Sequence, residues 1–248
     1  MIRRRSGLVA AVLGLSMLAS AAAAQTADEV IAKHFAALGG RDAIAKLTSR
    51  KATGTATVGT PNGDLTGPIE TYSKAPNKTR FVLRLDLSSV GAPGEMVVGR
   101  RFDGAAGVAM NSMTGDTDIT GDELENLKNA VFPTPLLNYK EAGASVEVQA
   151  GEPIDGKATI LLVYTPKTGS KIRIFLDAQT YLIVRTVVHV VSAQMGEVDQ
   201  VSDPSDYRDV DGVKVPFMLV NTSGGQTVTI KYTTVQHNVA IDDAIFGK

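Results

Sequence analysis

The sequence predicts a mainly β fold, in which a single curved antiparallel sheet forms an unclosed barrel and short helices cover its mouth. Three observations support this. Short β-like runs follow one another after residue 48, separated by Gly, Pro, Asn and Asp. Several runs alternate apolar and polar residues, as a sheet with one wet face requires. Helices do not alternate with the runs, which argues against a parallel α/β sheet. The predicted strands are 49–59, 66–74, 78–88, 95–102, 106–111, 145–150, 156–165, 170–177, 181–192, 196–203, 213–222 and 226–236.

Two amphipathic helices are predicted, together with one further short turn of helix from Arg41 to Leu47. Thr26 and Glu29 have the spacing of a capping box, and the apolar stripe after them ends at Gly39-Gly40. A second capping box, Thr120 with Glu123, precedes a helix that ends before Pro133. Near the C-terminal end, Asp211-Gly212 predicts a two-residue hairpin turn, because Gly readily supplies a positive φ.

The inner face of such a sheet must be buried, and the two predicted helices total only roughly thirty residues, or about 45 Å of helix. Incomplete cover would leave an apolar cavity suited to a single apolar ligand. Few aromatic residues and no Trp favour an aliphatic chain or a sterol-like body. The predicted cavity lining is Phe81, Leu83, Leu85, Met96, Val98, Ile160, Leu162, Ile174, Leu176 and Phe217, and the predicted lid residues are Val30, Phe35, Leu124 and Leu127.

The first 24 residues have the form of a secretory signal. Three arginines, Arg3 to Arg5, precede a short apolar run that ends in four alanines, and we expect cleavage after Ala24. The predicted mature domain is then 25–248. With a bacterial-style signal and no Cys to accept a lipid, the expected location is the periplasm, as a soluble protein.

Composition excludes several functions. The absence of Cys removes disulfides, thiol catalysis and Cys-ligated metals. Removing the three leader arginines from 25 basic residues leaves 22 against 26 acidic ones, a net charge of −4. Nucleic acid is therefore not an expected partner, since phosphate binding needs a basic surplus.

Catalytic and metal-binding patterns are weak. His34, His189 and His237 show no metal-ligand spacing, so no metal or other cofactor is predicted. Ser88, His189 and Asp177 could be combined on paper into a triad, but no nucleophile-elbow motif accompanies them. The sequence therefore predicts a protein that is not an enzyme.

Several motifs together resemble the outer-membrane lipoprotein-sorting (LolA-like) proteins, as a divergent branch. They are Ala36 to Gly40, Lys74 to Lys78, Phe102-Asp103-Gly104 leading to Met110-Asn111, the helical segment 124–137, Asp177 to Val184, Asp206 to Pro216, and Asn238 to Phe246. The resemblance covers nearly the whole predicted mature chain. It implies an unclosed β-barrel plugged by helices, whose cavity takes acyl chains of a lipid or lipoprotein. In that family a basic residue commonly precedes the Pro-Asn pair and latches the lid, whereas this sequence has Ala75 there and Lys74 one residue earlier.

The leading hypothesis is a periplasmic carrier or sensor of an apolar lipid or acyl chain, acting in lipid or lipoprotein trafficking to the outer membrane. Its expected partners are a lipid or an acylated protein, with an envelope protein as a possible further partner. The alternative is a non-catalytic envelope interaction module with a filled core, which predicts no cavity above a few hundred Å³. A hydrolase or metal enzyme is the third class, and it requires convergent polar residues in a cleft.

Overall fold

A computed structural model describes residues 25–61, 63–192 and 196–247, so the predicted leader 1–24 lies outside the described residues. The helices are α1 (Ala27–Leu38), α2 (Arg41–Ala45) and α3 (Gly121–Asn129). The strands are β1 (Ser49–Thr60), β2 (Gly63–Lys74), β3 (Lys78–Asp86), β4 (Glu95–Phe102), β5 (Gly107–Asn111), β6 (Thr117–Ile119), β7 (Ser145–Ala150), β8 (Thr159–Thr165), β9 (Ile172–Asp177), β10 (Ile183–Ser192), β11 (Gly196–Val210), β12 (Val213–Ser223) and β13 (Gln226–His237). Short 3-10 turns occur at Ser88–Val90, Pro135–Asn138 and Asp243–Ile245.

The strands form one antiparallel sheet in the order β6-β5-β4-β3-β2-β1-β13-β12-β11-β10-β9-β8-β7. Most neighbours are consecutive in the chain, but β1 pairs with β13, with Arg50 opposite His237. The strands at the two ends, β6 and β7, do not pair with each other, so the barrel is not closed. This confirms the predicted mainly β fold and the unclosed sheet. The short strand β6 was not predicted, because three residues are too few to show an alternating pattern.

The hairpin between β11 and β12 confirms the predicted turn. Asp211 and Gly212 have φ values of 54° and 81° and join strands that end at Val210 and begin at Val213. Strand β11 is longer than the predicted run 196–203. It pairs with β12 in one unbroken register from Val201 to Val210, on both sides of Asp206, whose φ is 51°.

Helix α1 begins with the predicted capping box: the Glu29 amide donates to Thr26 Oγ1, and the Thr26 amide donates to the Glu29 carboxylate. It ends at Gly39, whose φ is +120°, and a Cβ built there would lie 2.0 Å from the carbonyl oxygen of Gly212. Glycine is therefore required for α1 to lie against the β11–β12 turn. The second predicted capping box is wrong, since the Thr120 side chain makes no capping bond. Gly121, with φ of +58°, enters the helix in a left-handed conformation that does not suit a standard N-cap.

Helix α3 connects the two ends of the open sheet. Its Leu127 is buried against Phe102 and Ile119, which belong to β4 and β6. On its other side, Asn126 donates to Ser170 Oγ and accepts from the Ser170 amide, in the turn between β8 and β9. The helix thus covers the gap between the two halves of the sheet. None of the helices in the described ranges is long and apolar enough to cross a bilayer.

Candidate ligand-binding site

Strands β3 and β4 present a graded row of side chains to the inside of the sheet. Leu85 lies opposite Met96, Leu83 opposite Val98, and Phe81 opposite Arg100. Successive inner residues are two positions apart, so the row from Met96 to Arg100 is roughly 13 Å long. One end of this row is therefore aliphatic, and the other end carries a guanidinium group next to an aromatic ring.

These residues line a half-open cavity of about 580 Å³, which we call the trough. Its volume lies within the range of small-molecule pockets, roughly 300–1,000 Å³. The trough is lined by Val58, Ile69, Thr71, Thr79, Arg80, Phe81, Leu83, Leu85, Met96, Val98, Arg100, Asn221, Gln226, Val228 and Ile230. Five of the ten predicted lining residues, Phe81, Leu83, Leu85, Met96 and Val98, are among them. Most of the residues that line the trough are thus apolar, and a minority of them carry polar or charged groups.

A smaller cavity of about 340 Å³, which we call the polar pocket, shares four lining residues with the trough: Arg100, Asn221, Gln226 and Val228. Its other lining residues all come from β10 to β12, and most carry hydroxyl or amide groups: Thr186, Val188, Gln200, Val201, Ser202, Thr222 and Ser223. Arg100 therefore lies where an apolar compartment meets a polar one.

The remaining predicted lining residues lie in a different part of the molecule. Ile160, Leu162, Ile174 and Leu176 share the inner face of β8 and β9, and the last three are at most 5% exposed. They pack in one core cluster with the predicted lid residues Val30 and Phe35 of α1. Side chains of the protein itself fill this region, because α1 and the segment after α3 are laid directly on it.

Phe217 and the lid residues of α3 also have protein partners. The ring of Phe217 is buried, and the guanidinium carbon of Arg208 lies 4.5 Å from its centroid. Phe217 is not among the residues that line the trough. Leu124 and Leu127 pack on the cluster formed by Phe102 and Ile119. As ligand contacts, all of these residues remain predictions.

A third cavity of about 250 Å³ lies beneath α1 and α2, and it contains Arg50, His34 and His237. Arg50 lies with its guanidinium carbon 5.5 Å from the centroid of the Phe132 ring. Burial lowers the pKa of His34, although the hydrogen bond that its Nδ1 donates to the Tyr181 carbonyl opposes this. Burial and, next, the positive charge of Arg50 lower the pKa of His237. Both imidazoles are therefore held mainly in the neutral form near pH 7.

The Ser88, His189 and Asp177 combination is not assembled. His189 Nδ1 lies 2.9 Å from Asp199 on the neighbouring strand, and Asp177 Oδ1 accepts from the amides of Gln179 and Thr180. These two backbone bonds stabilise the ionised carboxylate and lower the pKa of Asp177. Within residues 25–61, 63–192 and 196–247, no group of three or more His, Asp or Glu residues has a metal-binding arrangement.

Lys74 does not take over the lid contact that the resemblance assigns to the position of Ala75. Its ammonium group bonds to the carbonyl of Ile241 and to Asp243, close to the C-terminal end of the chain. The helical cover is held by other bonds: Tyr139 Oη donates to Asp28, and Arg41 donates to the carbonyl of Leu137.

Sequence reasoning missed Arg100 and the polar pocket. The signal was present, because Arg100 follows Met96 and Val98 at the same two-residue spacing, and this alternation would have placed it on the inner face. The opposite side of the polar pocket comes from β10 to β12, and no local pattern reveals which distant strands face each other across an open barrel.

Comparisons with known proteins identify the fold. No family model matches the sequence, and no curated protein matches it either. Three solved structures share the architecture. A LolA superfamily protein from Nitrosomonas europaea has a TM-score of 0.55 at 13% identity, covering 91% of this chain and 99% of that chain. A DUF1329 family protein from Desulfovibrio piger has a TM-score of 0.54 at 17% identity, covering 88% and 97%. A putative outer membrane lipoprotein-sorting protein domain from Vibrio parahaemolyticus has a TM-score of 0.51 at 10% identity, covering 88% and 94%.

Proposed function

We propose, from the fold that this chain shares with a LolA superfamily protein, that it is a carrier or sensor that holds an apolar lipid or acyl chain in the trough. The observation that carries the proposal is the half-open aliphatic cavity of about 580 Å³ on the inner face of β1 to β4 and β13. Enclosure of an alkyl chain there is favourable by roughly 25 cal/mol for each Å² of apolar surface removed from water.

The location that we propose is the periplasm, reached through cleavage of the leader after Ala24. Support comes from the basic, apolar and small-residue order of the first 24 residues. Mass spectrometry of protein taken from its native cells tests this. A mature chain that begins at Gln25 in the periplasmic fraction is the expected result, and an intact Met1 chain would contradict it.

An interaction module with a filled core fits less well. That alternative predicts no cavity above a few hundred Å³, and the trough is larger.

A non-catalytic role is part of the proposal, and it rests on the separate bonding partners of His189 and Asp177. Transfer of lipoproteins or lipids to the outer membrane is the most specific form of the proposal. Its support is the fold shared with a lipoprotein-sorting domain.

Lipid extraction tests the binding proposal. Protein purified from its native periplasm without detergent is extracted with organic solvent, and the extract is quantified by mass spectrometry. We expect about one lipid per protein chain and uptake of lipid by the stripped protein. Recovery of no stoichiometric lipid together with no uptake would refute the proposal.

Two neighbouring valines provide a matched pair of variants. Val98 lines the trough, whereas Val97 lies opposite Arg84 on the other face of the same strand. Val98→Phe places additional volume in the trough and should reduce the lipid recovered to below about a tenth of the wild-type amount, a loss of ~1.4 kcal/mol or more. Val97→Phe adds the same volume on the outer face and should leave recovery unchanged. Equal recovery from both variants would place the ligand elsewhere.

A further inference from the structure

Arg100 is an unpaired cation inside the sheet. No hydrogen bond or ion pair to its guanidinium occurs within the described part of the chain, and its Nε is buried without a partner. The guanidinium carbon of Arg100 lies 5.7 Å from the centroid of the Phe81 ring. Glu123 of α3 acts on its charge only through space. Arginine stays protonated, so the guanidinium of this half-buried side chain carries a positive charge that no hydrogen bond from the described residues compensates.

The neighbouring arginines serve as an internal comparison. Arg84, on β3, pairs with Glu95, and Arg101, next to Arg100 on β4, pairs with Asp116. Both lie on the outer face of the sheet by the strand register. Within the described part of the chain, Arg100 has no acidic partner, although acidic residues are plentiful in the sequence. Arg80 on β3 also lines the trough, and its Nε is likewise buried without a partner, so the positive charge at this end of the trough is not offset by an ion pair with any described residue.

The polar pocket beside Arg100 supplies further unused hydrogen-bonding capacity. Ser223 lines this pocket, and its hydroxyl is buried without a partner. Asn221 and Gln226 line both the pocket and the trough. A group that accepts several hydrogen bonds and carries negative charge would satisfy Arg100 and the neighbouring hydroxyl and amide groups together.

We propose that the ligand is an amphiphile with an anionic head, whose carboxylate or phosphate binds Arg100 at the edge of the polar pocket while its alkyl chain lies along the aliphatic trough. This inference rests on the proposed lipid-binding function and adds the chemistry of the head group. The chain lies against Leu83, Leu85 and Met96, and the head lies beside Phe81. Charge complementarity at Arg100 sets the orientation of the ligand, with its head towards the polar pocket and its tail towards Leu85 and Met96.

The test compares twelve-carbon ligands that differ only in the head: dodecanoate and dodecyl phosphate, each below its critical micelle concentration, and dodecanol, below its solubility limit. Dissociation constants are measured by isothermal titration calorimetry on the stripped protein. Since a hydrogen bond to a charged group contributes ~1.5–3 kcal/mol, we expect one or both anionic ligands to bind roughly tenfold to hundredfold more tightly than dodecanol. Equal affinity for all three would overturn the inference and leave the proposed function intact. No binding of any of the three would refute the proposed function as well.

Variants assign the effect to the residue. Arg100→Gln keeps a hydrogen-bonding side chain but removes the charge. The dissociation constants of the anionic ligand and of dodecanol should then differ by no more than about threefold. Arg100→Lys should retain most of the preference, and Arg84→Gln, which makes the same charge change on the outer face, should leave it unchanged. A preference that persists in Arg100→Gln would overturn the assignment. Because the wild-type comparison requires no substitution, the inference stays testable if a variant does not fold.

The last part of the test measures the binding of inorganic phosphate and of acetate, which have the anionic head groups without the alkyl chain. Without an alkyl chain they should bind at least about a hundredfold more weakly than dodecyl phosphate and dodecanoate, respectively, because they bury no apolar surface in the trough. If either small anion binds as tightly as its alkyl counterpart, the pocket is a site for a free anion and the amphiphile is excluded.

Discussion

The hydroxyl of Tyr139 donates a hydrogen bond of 2.7 Å to Asp28 Oδ1, across 111 positions of the sequence. Tyr139 follows the 3-10 turn after α3, and Asp28 lies in the first turn of α1. The bond therefore ties the segment after α3 to the first helix, and Lys140 adds an ion pair to the same carboxylate. Burial, followed by this hydrogen bond to Asp28, raises the pKa of Tyr139.

Removal of the Tyr139 hydroxyl tests this connection. Tyr139→Phe keeps the buried ring and deletes one hydrogen bond to a charged group, so the free energy of unfolding should fall by about 1–2 kcal/mol. Lys140→Ala removes an exposed, solvent-screened ion pair and should lower the stability less than Tyr139→Phe does. Urea denaturation of both variants measures the difference. A larger loss in Lys140→Ala than in Tyr139→Phe would show that the ion pair, and not the hydroxyl, holds the segment.

Gly39 and Gly40 allow a controlled test of close approach. Both have positive φ, but a Cβ at Gly39 would lie 2.0 Å from the Gly212 carbonyl oxygen, whereas a Cβ at Gly40 meets nothing within 4 Å. Gly40→Ala should therefore cost about 1 kcal/mol of stability, from backbone strain alone. Gly39→Ala should cost at least about 2 kcal/mol more, because α1 must move away from the turn. Thermal unfolding of the two variants measures both effects, and equal costs would contradict the required close approach.

Asn126 should control the opening of α3 from the β8–β9 turn. It makes two hydrogen bonds to Ser170, at 3.2 Å and 2.7 Å. Asn126→Ala removes both, so the amide of Ser170 should exchange its hydrogen about tenfold faster or more, for a loss of ~1–2 kcal/mol. Lys128→Ala changes an exposed residue of the same helix and is the control. Hydrogen exchange followed by NMR measures the rate at Ser170, and unchanged protection in Asn126→Ala would refute this role of α3.

Asp243 should titrate well below an ordinary aspartate. Hydrogen bonds from Lys74 and, next, from Lys78 lower its pKa from 3.8 to about 2. Because the folded-state pKa is lower than the unfolded one, its contribution to stability is complete above pH 3.8 and is lost as the pH falls towards 2. NMR titration of the Asp243 carboxyl carbon measures the pKa directly. Lys74→Met should return the midpoint part of the way to 3.8, whereas Lys46→Met, which changes a lysine elsewhere on the surface, should not shift it.

The sequence predicts the sheet well, because most strands alternate apolar and polar residues and turn residues separate them. The same alternation of apolar and polar residues predicted part of the site. Phe81, Leu83 and Leu85 share one face of their strand, and in the structure they line one cavity, the trough. The other predicted residues, such as Leu162 and Leu176, have the same alternation. They lie under α1 rather than in the trough, and where a helix docks depends on tertiary packing that periodicity does not encode.

The unpaired state of Arg100 was also beyond the reach of the sequence. An inward-pointing charge was readable from the spacing of Met96, Val98 and Arg100, but whether an acidic residue from a distant strand meets it is decided by the fold. Similarly, the sequence from Thr120 to Glu123 has the pattern of a capping box. The helix forms, but the Thr120 side chain makes no capping bond, because Gly121 has a positive φ.

The pairing of β1 with β13 has a consequence for how the chain reaches its folded state. The central seam of the sheet, with Arg50 opposite His237, joins residues that are nearly two hundred positions apart. Before the last strand has been delivered, neither half of the sheet has its neighbour, and contacts of such long sequence separation form slowly. This order of assembly is compatible with the proposed export, since a chain whose sheet is completed by its last strand has no finished fold before its final segment has crossed a membrane.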